Sequence, residues 1–150
     1  MTIVTRSWAN MMSEPVVYWD TSAILSALFR DEHSAAAATH ARSPGFHFVA
    51  SLGWTEAYAV MGRLEREGAL SKLLVDAARD ALESGPWRRI NAGPNWKSVP
   101  SLAQSWRLRG ADLWHLATAK ALQSGIPELT LLSFDERLNV AAKGEGLLPT

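Results

Sequence analysis

The stretch Val16-Val17-Tyr18-Trp19-Asp20-Thr21-Ser22-Ala23-Ile24-Leu25-Ser26-Ala27-Leu28-Phe29 changes its period halfway along. Its first four residues are β-branched or aromatic, which suits an extended strand, and the run stops abruptly at three small polar residues. From Ala23 the apolar residues recur at helical spacing. Strand, tight turn, helix is the unit from which an alternating α/β chain is built.

The same alternation continues outward. Arg30-Asp31-Glu32 closes the first helix in solvent, and alanine-rich Ser34 to Arg42 reads as a second helix stopped by Pro44-Gly45. Phe46 to Ala50 is a second strand. Ser51 is positioned to cap a helix from Leu52 to about Glu67, with Leu52, Ala59, Val60 and Leu64 inward and Arg63, Glu65, Arg66 and Glu67 in water. Ala69 to Ser84 repeats the helical period, Gly85-Pro86 breaks it, and Trp87 to Ile90 is a short strand. After the loop Asn91 to Asn95, Val99 to Leu108 and Ala111 to Gln123 are helices, and Leu129 to Ser133 is the continuous apolar run of a buried parallel strand. Glu136 to Lys143 is a last short helix. The expected architecture is a single α/β domain, 16–150, with a mainly parallel central sheet flanked by helices on both faces.

Composition agrees with one core. The chain has 150 residues, 47% of them hydrophobic and 20% charged, with no cysteine. A length of about 150 residues supports one buried core, and the absence of cysteine excludes a disulfide scaffold, a thiolate zinc site and a cysteine nucleophile. The longest apolar runs fall well short of the roughly 20 residues of a membrane span. Residues 1–15 lack the apolar segment of a secretory signal, and Met11 and Met12 are alternative initiators, so a flexible N-terminal tail and a cytoplasmic location are expected. Fifteen basic residues balance fifteen acidic ones. With a net charge of zero, any nucleic-acid partner has to be recognised by local charge placement and not by a general basic excess.

Four acids stand apart from the others. Asp20 follows the first strand and Asp135 the last, so both belong at the carboxyl edge of a parallel sheet, where ligands bind. Glu56 is the only charged residue between Phe46 and Gly62, and Asp112 the only one between Gly110 and Ala119. Most other acids have charged neighbours, as solvated faces do. Taken singly, Asp20 and Asp135 read as helix caps, and Glu56 and Asp112 as first-turn carboxylates complementing the helix dipole. Caps alone do not explain why the four lone acids occupy the most apolar stretches, since burying a carboxylate without compensation is costly. A shared divalent cation does. Hard oxygen ligands suit Mg²⁺ or Mn²⁺, and such a site can activate water for attack on a phosphodiester.

These residues resemble the PIN-domain family. The resemblance rests on Val17 to Leu25, on Glu56 early in a helix, on Leu108-Arg109-Gly110-Ala111-Asp112-Leu113-Trp114-His115-Leu116-Ala117-Thr118-Ala119, and on Leu131 to Leu138. It spans about residues 16–148, and the chain's size is similar to that of single-domain VapC-type toxins. It implies a metal-dependent endoribonuclease with Asp20, Glu56, Asp112 and Asp135 as the catalytic and metal-binding acids. Asp20 and Asp112 would be the foremost ligands of Mg²⁺ or Mn²⁺. It also implies an RNA substrate, a homodimer and a cognate antitoxin of a type II toxin–antitoxin system, with no membrane association. Leu113-Trp114 after Asp112 and Trp19 before Asp20 depart from the commonest family pattern, which bears on pocket shape and target choice.

Supporting residues have two readings each. Thr21 and Ser22 can bond Asp20 or a metal-bound water, although capping is the commoner task for hydroxyls there. Ser133 either orients a carboxylate or phosphate or is a buried strand serine. His115 follows Asp112 by one turn and reads as a buried, hydrogen-bonded histidine. His33, His40 and His47 read as incidental. Of seven tryptophans, Trp19, Trp54 and Trp114 adjoin site acids. Arg63, Arg66, Arg88, Arg89, Arg107 and Arg109 are candidate phosphate contacts or ordinary surface residues. A different class of reading is a catalytically inactive PIN-like module that binds RNA or a protein partner. A phosphatase with Asp20 as nucleophile is disfavoured, because its commonest signature wants an aspartate where Ser22 stands. The neutral total charge itself yields an expectation: RNA binding should depend on the divalent ion as well as on ionic strength.

Overall fold

The computed structural model describes residues 14–149. Most of the expected N-terminal tail, residues 1–13, lies outside the described residues. Four strands, β1 (Val16–Trp19), β2 (Phe46–Ala50), β3 (Trp87–Ile90) and β4 (Leu129–Leu132), alternate with seven helices. These are α1 (Thr21–Leu28), α2 (Ser34–Arg42), α3 (Ser51–Arg66), α4 (Lys72–Ser84), α5 (Val99–Ser105), α6 (Gly110–Gln123) and α7 (Glu136–Gly144). Every strand pairing is parallel, in the order β3-β2-β1-β4.

β1 is central and buried on both faces, which is why Val16 to Trp19 carries no polar alternation. Its side chains divide between two cores. Val16 and Tyr18 pack with Leu116, Leu129, Leu131 and Leu138 on the side of α5, α6 and α7. Trp19 packs with Ile24, Val49, Met61, Val75 and Leu82 on the side of α1, α3 and α4. At the entry to β2, Gly45 has φ 121°, and a Cβ there would stand 2.3 Å from the Pro15 carbonyl oxygen. Only glycine fits that turn, and it lets Phe46 N–H bond Pro15 O at 2.8 Å.

The sheet order places the site. From β1 the chain moves outward through β2 and β3, and β4 then returns to the other side of β1. The crevice above the carboxyl ends of β1 and β4 is therefore the point at which the strand order reverses, the preferred ligand position in open parallel sheets. Asp20 N–H bonds Leu132 O at 3.1 Å and so ties the end of β1 to the end of β4.

Several local expectations are corrected. The buried face of α3 is Gly53, Ala57 and Met61, while Ala59 is exposed. The face that meets the sheet needs small residues for close approach, so hydropathy alone picks the wrong stripe. Ser51 is the first helical residue and not the cap; its hydroxyl bonds Ile90 O and Asn91 on the β3 side. Trp19 is fully buried, and its indole N–H donates to His47 Nδ1 at 3.0 Å, so Trp19 is core and His47 is its partner and not incidental. Arg88 and Arg89 lie over the rings of Phe46 and Trp54.

Candidate active site

Asp20 occupies the cap position of α1 and is only 1% exposed. Its Oδ1 accepts from Ala23 N–H and Ser22 Oγ, each at 2.8 Å, and its Oδ2 accepts from Ser133 Oγ at 2.6 Å. Each of these hydroxyls also accepts a backbone proton from the turn after β4, Ser22 from Phe134 at 3.1 Å and Ser133 from Asp135 at 3.0 Å. Two serines thus stitch the β4–α7 turn to the carboxylate at the end of β1. Burial pushes the Asp20 carboxyl above its ordinary range, while the bonds from Ser133, Ala23 and Ser22 pull against that shift. Capping and site-building are the same act here. Asp135 likewise caps α7, its Oδ1 accepting from Leu138 N–H at 2.9 Å.

Asp112 lies in the first turn of α6, as expected, and is half-buried. With Asp135 it lines a polar cavity of about 280 Å³, together with Leu108, Arg109, Glu136 and Arg137. Its carboxyl is pushed up first by burial and then by the charges of Asp135 and Asp20. The charges of Asp135 and Asp20 thus bear on Asp112.

Glu56 is displaced from its expected place. It sits in the second turn of α3 and lines a neighbouring cavity of about 310 Å³ with Thr21, Arg63 and Arg66. Thr21 does not bond Asp20; its hydroxyl donates to Glu56 Oε1 at 2.9 Å. His115, 1% exposed, lies 3.0 Å from the Thr21 hydroxyl and 3.8 Å from Glu56 through Nε2, and 2.6 Å from the Tyr18 hydroxyl through Nδ1. The imidazole foremost, and then Thr21, hold the Glu56 carboxyl below its usual range against the effect of burial. Burial, with the charges of Asp20 and Glu56 behind it, keeps the Tyr18 hydroxyl protonated.

Glu136 and Arg137 enter the site without having been singled out in the sequence. Their position at the start of α7 is the signal, since helical side chains lean toward the N-terminus and so over the acid at the cap. Glu136 and Arg137 also line a second, adjoining cavity of about 490 Å³, together with Trp106, Arg107 and Val140. Among the described residues no ion pair involves Arg63, Arg66, Arg107, Arg109 or Arg137.

The donor set fits a hydrated hard cation. It is all oxygen, it is crowded with like charge, and one member is buried and preoriented by two hydroxyls and an amide. Among the described residues no three acid or histidine side chains already stand as a complete ligand cage.

Among solved structures, the fold is similar to VapC20 of Mycobacterium tuberculosis, a toxin described as cleaving the sarcin-ricin loop. The TM-score is 0.55 at 14% identity, covering 83% of this chain and 94% of that one. No match is found among curated proteins. The family model of the PIN domain matches residues 17–144, from the second residue of β1 to the last of α7, and so includes every element that positions the four acids. The chain belongs to the PIN-domain family.

Proposed function

We propose that the protein is a Mg²⁺- or Mn²⁺-dependent endoribonuclease that hydrolyses RNA phosphodiester bonds, and that it is the toxin of a VapC-type, type II toxin–antitoxin pair. The observation carrying this reading is the gathering of Asp20, Asp112 and Asp135 at the β1/β4 switch point, Asp20 and Asp135 joined through Ser133 and Asp112 and Asp135 on the wall of one cavity, in a PIN-domain chain. The cleaving activity of VapC20, whose fold is similar, agrees with it.

Asp20, Asp112 and Asp135, with Glu56, would hold the ion. When bound, it supplies a polarised phosphoryl oxygen and an activated water for in-line attack. The chain's own residues do the rest. Ser22 and Ser133 fix the Asp20 carboxylate. Arg109 and Arg137, on the wall shared with Asp112 and Asp135, hold the substrate phosphates. A homodimer, a cytoplasmic location and an antitoxin reaching the acidic groove with a basic side chain belong to the same proposal. No helix among the described residues is long and apolar enough to cross a membrane.

The decisive experiment is cleavage of single-stranded RNA with Mn²⁺ by the wild type, Asp20→Asn and Asp112→Asn. The expected loss is at least about 100-fold for each variant; equal rates overturn the proposal. The second reading, a non-catalytic module, draws on the absence of a three-ligand cage among the described residues. It predicts no thermal stabilisation by Mn²⁺, so a shift of several degrees counts against it. The toxin role predicts growth arrest on expression, relieved by the product of an adjacent small reading frame.

A further inference from the structure

We infer that Tyr18, His115 and Thr21 form a hydrogen-bond line that positions Glu56, with a proton on His115 Nε2 facing the Thr21 hydroxyl. The inference rests on the nuclease reading for its consequence, but on hydrogen-bond accounting for its content. Three contacts run end to end: Tyr18 Oη to His115 Nδ1 at 2.6 Å, His115 Nε2 to Thr21 Oγ1 at 3.0 Å, and Thr21 Oγ1 to Glu56 Oε1 at 2.9 Å.

The three contacts together require a proton on His115 Nε2. An ionised carboxylate only accepts, so Thr21 spends its single proton on Glu56. The remaining Thr21 contact then needs a donor, which must be Nε2–H. A neutral imidazole protonated there has a lone pair on Nδ1, and that lone pair takes the Tyr18 O–H. With the other tautomer, two lone pairs would face each other between Nε2 and Thr21, and the Tyr18 O–H would lose its acceptor. Tyr18 is fully buried and has no other hydrogen-bond partner among the described residues. A buried hydroxyl without an acceptor is costly, so the line is locked from its inner end.

The fold is arranged to bring the line together. Tyr18 comes from β1, Thr21 from the start of α1, His115 from α6 and Glu56 from α3. Gly53, one turn before Glu56, lets α3 approach closely: a Cβ there would lie 3.2 Å from Val49 Cγ1, 3.6 Å from His115 Cε1 and 3.7 Å from Thr21 Oγ1. The Glu56 side chain is 36% exposed while His115 is buried, so the line anchors a carboxylate that would otherwise move in solvent. Tyr18, His115 and Thr21 are positioning residues that act through Glu56.

The test has two arms. In the metal-free, ¹⁵N-labelled wild type at neutral pH, long-range proton–nitrogen spectra should show a protonated Nε2 on His115. An unprotonated Nε2 overturns the inference. In the second arm, Tyr18→Phe and Thr21→Val should lower kcat for a single-stranded RNA by about 10- to 100-fold, with KM within about twofold. Thr21→Ser should recover to within about threefold of wild type, and Tyr18→Phe added to Glu56→Gln should cost nothing more. Wild-type kcat in Tyr18→Phe and Thr21→Val, with Asp20→Asn inactive, overturns the line and leaves the nuclease reading standing. A wild type that cleaves no RNA overturns the nuclease reading, and the spectrum alone then decides the line.

Discussion

Asp20 shows how much one side chain can be asked to do. Its carboxylate caps α1, accepts from both serines of the neighbouring turn and heads the acid cluster, all while nearly excluded from solvent. Ser133→Ala removes a 2.6 Å donor to a buried charge and strands the Asp135 N–H. The expected cost is about 1–3 kcal/mol in urea denaturation, with a loss of Mn²⁺ affinity of about 10- to 100-fold by calorimetry. Asp112→Asn acts in the opposite sense on the metal-free protein. It removes one of several like charges, so it should raise stability at pH 7 by about 0.5–1 kcal/mol, taking the surface-pair scale as a guide. The same variant should lose most of the stabilisation that Mn²⁺ confers on wild type, and paired thermal melts with and without the ion would read both effects. A less stable metal-free variant would mean that Asp112 is held by attraction and not by crowding.

At the scale of elements, α3 and the α1–α2 turn carry separate consequences. Gly53 brings α3 against Val49, Thr21 and His115, so Gly53→Val should push the helix outward. The expected destabilisation is about 1–3 kcal/mol by chemical denaturation, the usual cost of overpacking, and the Thr21–Glu56 contact should lengthen. The α1–α2 turn is organised by Asp31, which accepts from Ser26 Oγ at 2.7 Å and His33 N–H at 2.8 Å. Burial works against its charge, but the bonds from Ser26, His33 and Ser34 outweigh it and hold the carboxyl below its usual value. A lowered folded-state pKa gives stability that is present above the unfolded value of about 3.9 and is lost as pH falls through the folded one. Because Asp31 is exposed, the effect amounts to a few tenths of a kcal/mol. Asp31→Asn should therefore be less stable than wild type at pH 5, with the gap narrowing as pH falls below the unfolded value; a gap independent of pH would refute the assignment.

For the whole molecule, the zero net charge resolves into a segregated surface. An acid cluster sits at the switch point, Arg109 and Arg137 line its cavity and Arg107 the adjoining one, and none of the three arginines makes an ion pair among the described residues. RNA binding should need the divalent ion, and the salt dependence of KM should flatten by a slope of about 0.7 for each of Arg109→Ala and Arg137→Ala. An unchanged slope would place the phosphates elsewhere. The sequence by itself determined the alternation of strands and helices and the isolation of four acids, because period, turn residues and the cost of a lone carboxylate in apolar surroundings are local properties. Even the positions of Asp20 and Asp135 at strand ends were legible that way. Only tertiary structure decided that β4 returns beside β1, that Gly53, Ala57 and Met61 form the buried face of α3, and that Trp19 turns into the core against His47. It alone brought Tyr18 to His115 and Thr21 to Glu56. Each of these is a contact between residues 28 to 113 positions apart or a choice of helix face, and chain-distant packing leaves no periodic trace in sequence.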